Sequence, residues 1–447
     1  MKRTVALAAT TCALTLLTTA CGGSGANSSS PSGATASNLN LPDLHGQHLE
    51  VAAVWTGPEQ QNFMKVIKRF DQLTGAQTDF VPTGDNVSTF LGTKIQGGAA
   101  PDVAFLPQPG VLAQFAKSGW LKPVNAAVEK QLQGNYSTGW QKLGAYNGTQ
   151  YGVYFKAADK STVWYNTKAF STAGVSTPPT TWSEFLKDAQ TISDSGTPPV
   201  SVGGADGWTL TDWFENIYLS QAGPAKYDQL TKHQIKWTDP SVGKALTTLG
   251  QLFGKPSLLA GGTRGALATE FPASVDQTFA DPAKAAMVYE ADFVATNITS
   301  DTKAKIGTDA KVFPFPAVDG GQAPMVVGGD VAVALKNSKG AQALLTYLAS
   351  TDAARTEVEQ GGFISPNKSL DLSAYPDETE RSLAKSLTAA GDNFRFDMSD
   401  QAPAAFGGTK GQGEWKDLQD FLANPSDVAG AQRKLEADAA AAFANAG

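Results

Sequence analysis

Residues 151–185 limit the fold of this chain more than any other segment. Residues 151–155 and 162–165 are rich in aromatic and β-branched side chains, which favour β-strands. The sequence AADKS lies between these two runs and is polar, so it suits neither strand. The segment therefore predicts one strand, a polar crossing and a second strand.

Two helix signals follow the strands. Residues 168–173 predict a short helix that ends at Gly174, because glycine readily takes the left-handed conformation just past a helix end. Pro178 blocks continuation of that helix. Thr181 and Glu184 have the spacing of a capping box, which predicts the start of a second helix.

Strands and helices also alternate nearer the N-terminus. Apolar runs predict strands over residues 49–54, 77–82 and 101–106, with helices over 62–73 and around 90–95 between them. This order argues for α/β layers with a mainly parallel sheet. Ligands of such sheets bind beyond the carboxyl ends of the strands. The polar or aromatic residues just after these strands are candidate ligand contacts: Trp55, Glu59, Asp85 and Gln108.

Residues 1–20 have the pattern of a secretory leader, with Lys2 and Arg3 before the apolar run 5–17. The leader ends in LLTTAC, which resembles a bacterial lipobox and implies that Cys21 becomes lipidated. The alternative is ordinary signal cleavage beside an incidental cysteine. Residues 21–43 then predict a flexible tether, because they are rich in Gly and Ser. We expect the protein on the outer face of the cell membrane.

Composition excludes several classes of function. The 447-residue chain has a net charge of −7, which argues against nucleic-acid binding. Its two cysteines are Cys12 and Cys21, so the body predicts neither a disulfide nor a thiolate metal site. The three histidines are scattered, and the chain has no phosphate-binding loop motif. The sequence therefore predicts no cofactor, no metal and no catalytic residue.

The segment 151–185 resembles the extracellular solute-binding proteins of bacterial ABC importers, in the class that binds carbohydrates. The matching residues form a hinge strand, a "WYN" segment and a "PP-x-T-W-x-E-F" turn: Tyr151, Gly152, Val153, Trp164, Tyr165, Asn166, Phe170, Gly174, Pro178, Pro179, Thr181, Trp182, Glu184 and Phe185. Tyr154 stands where the family usually has proline, and we expect it to reach the ligand cleft.

This resemblance implies an α/β, two-lobed periplasmic-binding-protein-like fold whose lobes are joined by three hinge crossings. The N-terminal lobe is expected over residues 44–156 and 292–328, and the C-terminal lobe over 157–291 and 329–447. A sugar would bind between the lobes, which close on it as a monomer. The closed form would then be presented to the membrane permease of the importer.

Two further segments resemble the family's second and third crossings. Residues 286–293 correspond to "AM-x-x-x-G-x-W", with Phe293 in place of the tryptophan. Glu290 and Asp292 would accept hydrogen bonds from sugar hydroxyls, the alternative being a surface acid pair. Residues 326–335 correspond to the third crossing, where Gly329 permits close approach of a ligand and Asp330 is a hydroxyl acceptor.

Polar and aromatic side chains are also interleaved in residues 208–216. Trp208 is predicted in a loop, and Thr209 and Asp212 have capping-box spacing for the helix after it. Trp208 and Trp213 offer faces for a sugar ring and Asp212 accepts hydroxyl protons, the alternative being that these aromatic residues are core.

Residues 394–400 look like the corresponding run in α-glucoside binders, which favours a ligand such as maltose or trehalose. Arg395 would donate to vicinal hydroxyls, or else pair with a nearby acid. Two other functions remain open. A secreted carbohydrate-active enzyme would need only a carboxylate pair. A binding protein for a non-sugar solute is also possible, although the acidic candidate residues disfavour anions.

Overall fold

The structure is a computed structural model that describes residues 39–391 and 394–446. The predicted leader, Cys21 and the tether as far as residue 38 lie outside the described residues. Within the two described ranges, no helix is both long and apolar enough to cross a bilayer.

Twelve strands occur in the described residues. In chain order they are β1 (His48–Ala53), β2 (Gln77–Pro82), β3 (Val103–Leu106), β4 (Ala145–Tyr146), β5 (Thr149–Gln150), β6 (Gly152–Asp159), β7 (Thr162–Asn166), β8 (Val200–Ser201), β9 (Met287–Tyr289), β10 (Ala310–Pro314), β11 (Val326–Ala334) and β12 (Arg395–Phe396).

The helices of the described residues follow the same chain order. They are α1 (Gly57–Thr74), α2 (Val87–Gln96), α3 (Pro109–Lys117), α4 (Ala126–Asn135), α5 (Thr138–Leu143), α6 (Thr167–Ala173), α7 (Trp182–Asp194), α8 (Trp208–Ala222), α9 (Pro224–Thr231), α10 (Pro240–Phe253), α11 (Gly262–Ala268), α12 (Phe271–Phe279), α13 (Val294–Asp301), α14 (Lys339–Leu348), α15 (Thr351–Val358), α16 (Glu378–Ala390), α17 (Met398–Gln401), α18 (Ala404–Gly407), α19 (Gly413–Ala423) and α20 (Val428–Ala446).

Two main sheets organise the fold. The larger sheet has the order β12-β11-β3-β1-β2, and β6 adds to it by pairing with β11. Its strands β1, β2 and β3 are parallel, as the alternation of strands and helices predicts. The smaller sheet has the order β10-β7-β9-β8, and β4 and β5 form a separate pair. Each main sheet requires its own layer of helices to bury its apolar side chains.

Two hydrophobic cores surround these sheets. We call the cluster around the larger sheet the first core; its helices are α1–α5 and α12–α16. The cluster around the smaller sheet is the second core; its helices are α6–α11 and α17–α20. Each core is assembled from segments that are distant in the sequence, so the chain must pass between them repeatedly.

Residues 329–358 lie in the first core, in contrast with the expectation that the second lobe resumes at residue 329. The strand β11 runs through this point without a break and pairs with both β3 and β6. Leu344 and Tyr347 of α14 are also buried in the first core. The physical reason is that the backbone groups of this long apolar strand find partners only inside the larger sheet.

Local predictions in residues 151–185 are confirmed. Gly174 ends α6 in the left-handed conformation, with φ 75°. The Thr181 hydroxyl accepts from the Glu184 amide, and the Glu184 carboxylate accepts from the Thr181 amide, which together form the capping box. Trp164 and Trp182 are buried in the cores.

The first strand of this segment is longer than predicted. The polar AADKS run was expected to interrupt it, but β6 continues through Ala157 and Ala158 to Asp159. Ala158 and Ala157 pair with Gly328 and Gly329 of β11, so tertiary pairing outweighs the weak strand preference of these residues. The crossing between the sheets is therefore confined to Lys160 and Ser161.

Candidate ligand cleft

The three predicted crossings lie side by side at the junction of the two cores. The Val326 amide donates to the Ser161 hydroxyl oxygen at 2.8 Å, and the Lys160 amide donates to the Val326 carbonyl at 2.9 Å. The Asp159 amide donates to the Asp292 carboxylate at 2.7 Å. These bonds tie the passage after β6 to the passages around Asp292 and before β11, and they place the side chains of all three passages in one region.

Lys156 occupies the first-core side of this region. Its ammonium group lies 2.6 Å from the Glu59 carboxylate and 5.0 Å from the centre of the Phe293 ring. Burial lowers the pKa of Lys156, but the Glu59 and Asp330 carboxylates outweigh that effect and raise it. The group therefore stays charged. An ammonium has three N–H donors, and Glu59 takes one of them.

Lys160 occupies the second-core side. Its ammonium lies 3.2 Å from Asp212, 2.5 Å from Asp397 and 3.5 Å from Asp400. It also lies 5.6 Å from the centre of the Trp208 ring. Burial would raise the pKa of Asp397, but Lys160 outweighs burial and lowers it. Three carboxylates around one ammonium indicate that Lys160 holds these segments together and has no donor to spare.

Three aromatic rings line the same region, and we call them the aromatic panel: Trp208, Phe271 and Phe293. The ring centres of Trp208 and Phe271 are 5.5 Å apart, those of Phe271 and Phe293 are 5.4 Å apart, and those of Trp208 and Phe293 are 6.1 Å apart. Trp208 and Phe293 are half-buried. Such rings present apolar faces to a ligand while their edges pack against each other.

Carboxyl groups with spare hydrogen-bonding capacity lie beside the panel. Among the described residues, no hydrogen bond of good geometry reaches either carboxyl oxygen of Glu290, whose nearest polar neighbours are Asp212 and the Ala291 amide. One oxygen each of Asp212 and Asp292 also has no partner. Burial raises the pKa of Glu290 to about 8 and that of Asp292 to about 7, each opposed by a nearby lysine. Buried polar groups without partners are costly, so this cluster is suited to a ligand that supplies them.

Gly329 and Asp330 enter the region from β11. A Cβ atom at Gly329 would clash with the Lys156 carbonyl oxygen, so glycine is required for this close approach of β11 and β6. Burial raises the pKa of Asp330 to about 6, although Lys156 opposes it. The Tyr154 side chain is fully buried next to Gly329, and its hydroxyl has no hydrogen-bond partner in the described residues.

Most of the predicted ligand residues therefore converge on one region. They are Trp55, Glu59, Tyr154, Trp208, Asp212, Glu290, Asp292, Phe293, Gly329 and Asp330. Trp55 belongs to this region because the Lys156 ammonium lies 5.9 Å from the centre of the Trp55 ring.

Four predicted residues have other surroundings. Trp213 is 1% exposed and packs in the second core against Tyr289 and Phe253. Arg395 pairs with Asp228 at 2.6 Å, which is the alternative that the sequence left open for it. The other two, Asp85 and Gln108, face the loop that follows α18: Asp85 pairs with Lys410, and Gln108 lies against Gly408.

The local structure around Trp208 differs from the prediction. Trp208 is the first residue of α8 and not part of a loop, and no side chain caps this helix. The capping-box prediction for Thr209 and Asp212 was wrong, because the N-cap of α8 is Gly207, two residues before Thr209, with φ 86°. The Thr209 hydroxyl donates to the Gly203 carbonyl instead, while Asp212 turns to Lys160.

Sequence reasoning missed several residues of this region. Lys156 lies in β6 and Lys160 directly follows that strand, so the two lysines flank the passage between the sheets. That signal was available, but the polar run hid the strand. Phe271, Asp397 and Asp400 come from distant segments, and only the fold brings them to the lysines.

The chemistry of this cleft is that of hydrogen bonding and ring contact. Carboxyl oxygens accept, Lys156 donates and the panel offers apolar faces. In the described part of the chain, no group of three or more His, Cys, Asp and Glu side chains has the arrangement of a metal site.

Comparison with known families identifies the class of protein. Residues 56–355 match the model of the bacterial extracellular solute-binding proteins. The chain belongs to this family. The resemblance found in residues 151–185 is thereby confirmed.

Two curated relatives of this solute-binding protein cover most of its length. The osmoprotective compounds-binding protein GgtB of Synechocystis sp. is 33% identical over 387 residues, which are 85% of this chain and 90% of GgtB. The alpha-glucosides-binding periplasmic protein AglE of Rhizobium meliloti is 30% identical over 408 residues, which are 88% of this chain and 87% of AglE. Both relatives are named as binding proteins.

Solved structures confirm the two-lobed α/β fold of this solute-binding protein. The solute receptor AcbH superposes with a TM-score of 0.76 at 20% identity, covering 89% of this chain and 99% of AcbH. Maltose-bound MalE3 of T. maritima superposes with a TM-score of 0.71 at 17% identity, covering 88% of this chain and 99% of MalE3.

The raised pKa values of the cleft acids predict how stability depends on pH. Asp292 titrates with a pKa of about 7 when folded, against an ordinary value of 3.8, so the folded protein keeps a proton that the unfolded chain releases. Stability from this group is therefore present at low pH and is lost as the pH rises from about 4 to about 7, by up to about 1.4 kcal/mol per pH unit.

We expect Asp292→Asn to reduce the fall in the free energy of unfolding between pH 4 and pH 7. Asparagine does not titrate, and its side-chain oxygen can still accept from the Asp159 amide. Urea unfolding at pH 5, 6, 7 and 8 measures the slope. Asp194→Asn, at an exposed carboxyl of α7, is the control and should leave the slope unchanged. An identical slope in wild type and Asp292→Asn would contradict the prediction.

Proposed function

We propose that this protein captures a sugar or oligosaccharide in the cleft and delivers it to the permease of an ABC importer. One observation carries the proposal: half-buried aromatic faces and carboxyl groups without partners meet at the junction of two cores. A sugar ring stacks its apolar C–H face on an aromatic ring and donates its hydroxyl protons to carboxylates. A nonpolar ligand would leave the acids unpartnered, and an anionic group would supply no hydrogen-bond donor to them.

The names of the relatives support a carbohydrate ligand. AglE is named for alpha-glucosides, and the MalE3 structure contains maltose. The run 394–400 contributes Asp397 and Asp400 to the cleft, the segment in which the sequence resembles α-glucoside binders. Among sugars we propose an α-glucoside such as maltose or trehalose.

The roles of the side chains follow from their remaining hydrogen-bonding capacity. Trp208 and Phe293 stack on the sugar, and Glu290 and Asp292 accept hydroxyl protons. Lys156 donates its remaining N–H groups to ring or hydroxyl oxygens of the sugar. The N–H groups of Lys160 are already directed at carboxylates, so its role is to hold those carboxylates in place.

We further propose that the two cores are the two lobes and that the passages around Ser161 form the hinge. The cleft draws Glu59 and Asp330 from the first core and Trp208 and Asp212 from the second. A ligand that contacts both lobes binds the closed state more tightly than the open state and so shifts the population toward closure. The closed monomer is the form that the permease recognises.

A thermal-shift screen against a panel of sugars tests the proposal. Maltose, trehalose, raffinose and galactose are added in excess, and a sugar that binds the folded protein raises the melting temperature. We expect at least one α-glucoside to raise it and every sugar to be recovered intact by chromatography. No shift with any sugar would refute the sugar-binding role, and cleavage at enzymatic rates would favour the enzyme alternative.

Trp208→Ala tests the assignment of the cleft. Loss of the ring face should weaken binding of the sugar found in the screen by about 10-fold or more, with a small loss of stability because Trp208 is half-buried. Calorimetric titration measures the affinity. Trp120→Ala removes another half-buried tryptophan, one that packs against Phe115, and should leave the affinity unchanged. Equal affinities in wild type and Trp208→Ala would remove Trp208 from the site.

We also propose that Cys21 carries lipid that holds the protein at the outer face of the membrane. The chain expressed with its leader should fractionate with membranes and dissolve in detergent. Cys21→Ala should move the protein to the soluble fraction, whereas the control Cys12→Ala, within the leader, should not. Membrane association of Cys21→Ala would rule out this anchor.

A further inference from the structure

One ion pair joins the two cores at the rim of the cleft. Lys410 lies in the loop between α18 and α19, on the second core. Its ammonium is 2.9 Å from Asp206, also on the second core, and 3.4 Å from Asp85 in the loop between β2 and α2 of the first core. The Lys410 side chain thus bridges acids that belong to different cores.

Asp206 connects this pair to the aromatic panel. One of its carboxyl oxygens accepts from the Lys410 ammonium, and the other accepts from the Phe271 amide at 2.7 Å. The Asp206 side chain is nearly buried, so its position is well determined by these two bonds. Asp206 therefore connects the position of Lys410 to the backbone of Phe271, whose ring belongs to the aromatic panel.

The surrounding contacts show that this rim is an interface between the cores. A Cβ atom at Gly408 would lie 2.8 Å from the Gln108 amide nitrogen, and a Cβ at Gly110 would clash with the Ala402 carbonyl. Residues 402–410, which include α18, therefore sit directly against the start of α3. Two glycines at these points permit the approach that brings Asp85 within reach of Lys410.

We propose that the Asp85–Lys410 pair is a latch that favours the closed cleft, with Asp206 positioning the lysine. This inference rests on the proposed function in one respect, that the two cores move as lobes. The pair is formed by protein side chains alone, so its effect can be measured without a sugar.

The latch is weak because its surroundings are open to solvent. Lys410 and Asp85 are 37% and 35% exposed, so water and salt screen their attraction. Removing such a pair changes the ratio of closed to open molecules by at most about five-fold. Charge reversal by Asp85→Lys should have a larger effect, because the introduced ammonium would face the Lys410 ammonium across the rim.

Small-angle X-ray scattering of the ligand-free protein tests the latch. At 20 mM salt we expect Asp85→Lys to increase the radius of gyration relative to wild type. The control Glu378→Lys makes the same charge change at an ion pair within α16 and should leave the radius unchanged. At 500 mM salt the wild-type radius should move toward that of Asp85→Asn, which has lost the pair.

A double-mutant cycle tests whether Asp85 acts through Lys410. Asp85→Asn and Lys410→Gln should each open the cleft, and the double variant should open it no further than Lys410→Gln alone. Equal radii in wild type and Asp85→Lys, or additive effects in the double variant, would overturn the latch. Scattering with saturating maltose or trehalose is a separate arm, in which failure to contract would count against the proposed sugar site and leave the ligand-free result standing.

Discussion

The buried ammonium of Lys160 is the interaction on which the cleft depends. A lone charge at this depth would cost several kcal/mol, and the chain compensates it with three carboxylates from two segments: Asp212 from one, and Asp397 and Asp400 from the other. Meeting that requirement brings α8, the end of β12 and α17 to the first crossing. One side chain thereby fixes how the second core is joined to the larger sheet.

The carboxyl groups of the candidate cleft outnumber its lysines, and this imbalance sets the electrostatics of the region. Two lysines cannot neutralise all the carboxyl groups around them, so burial holds Glu290 and Asp292 near the neutral form. A hydrogen-bond donor that reaches these groups would relieve part of the cost of burying them. Stability of the empty protein and capacity for a ligand are thus set by the same side chains.

The fold was largely predictable from local patterns, and the cleft only in part. Thr181 and Glu184 form a capping box that acts within a few residues, so sequence spacing was sufficient. Asp212 matched the same spacing, yet its carboxylate serves Lys160, 52 residues away, and a spacing rule does not include that partner. Phe271 carried no motif at all. The predicted end of β6 was wrong for the same reason, because Ala157 and Ala158 owe their extended conformation to pairing with β11.

The sheet order also dictates when the molecule can fold. In the larger sheet β3 lies beside β11, and β11 beside β12, although more than 200 residues separate the first of these strands from the second. Contacts of such long sequence separation form slowly. The first core therefore stays incomplete until almost the whole chain is available. The strands of the N-terminal third can therefore pair fully only after the segment through β12 has been synthesised, so this core forms late in the life of the nascent chain.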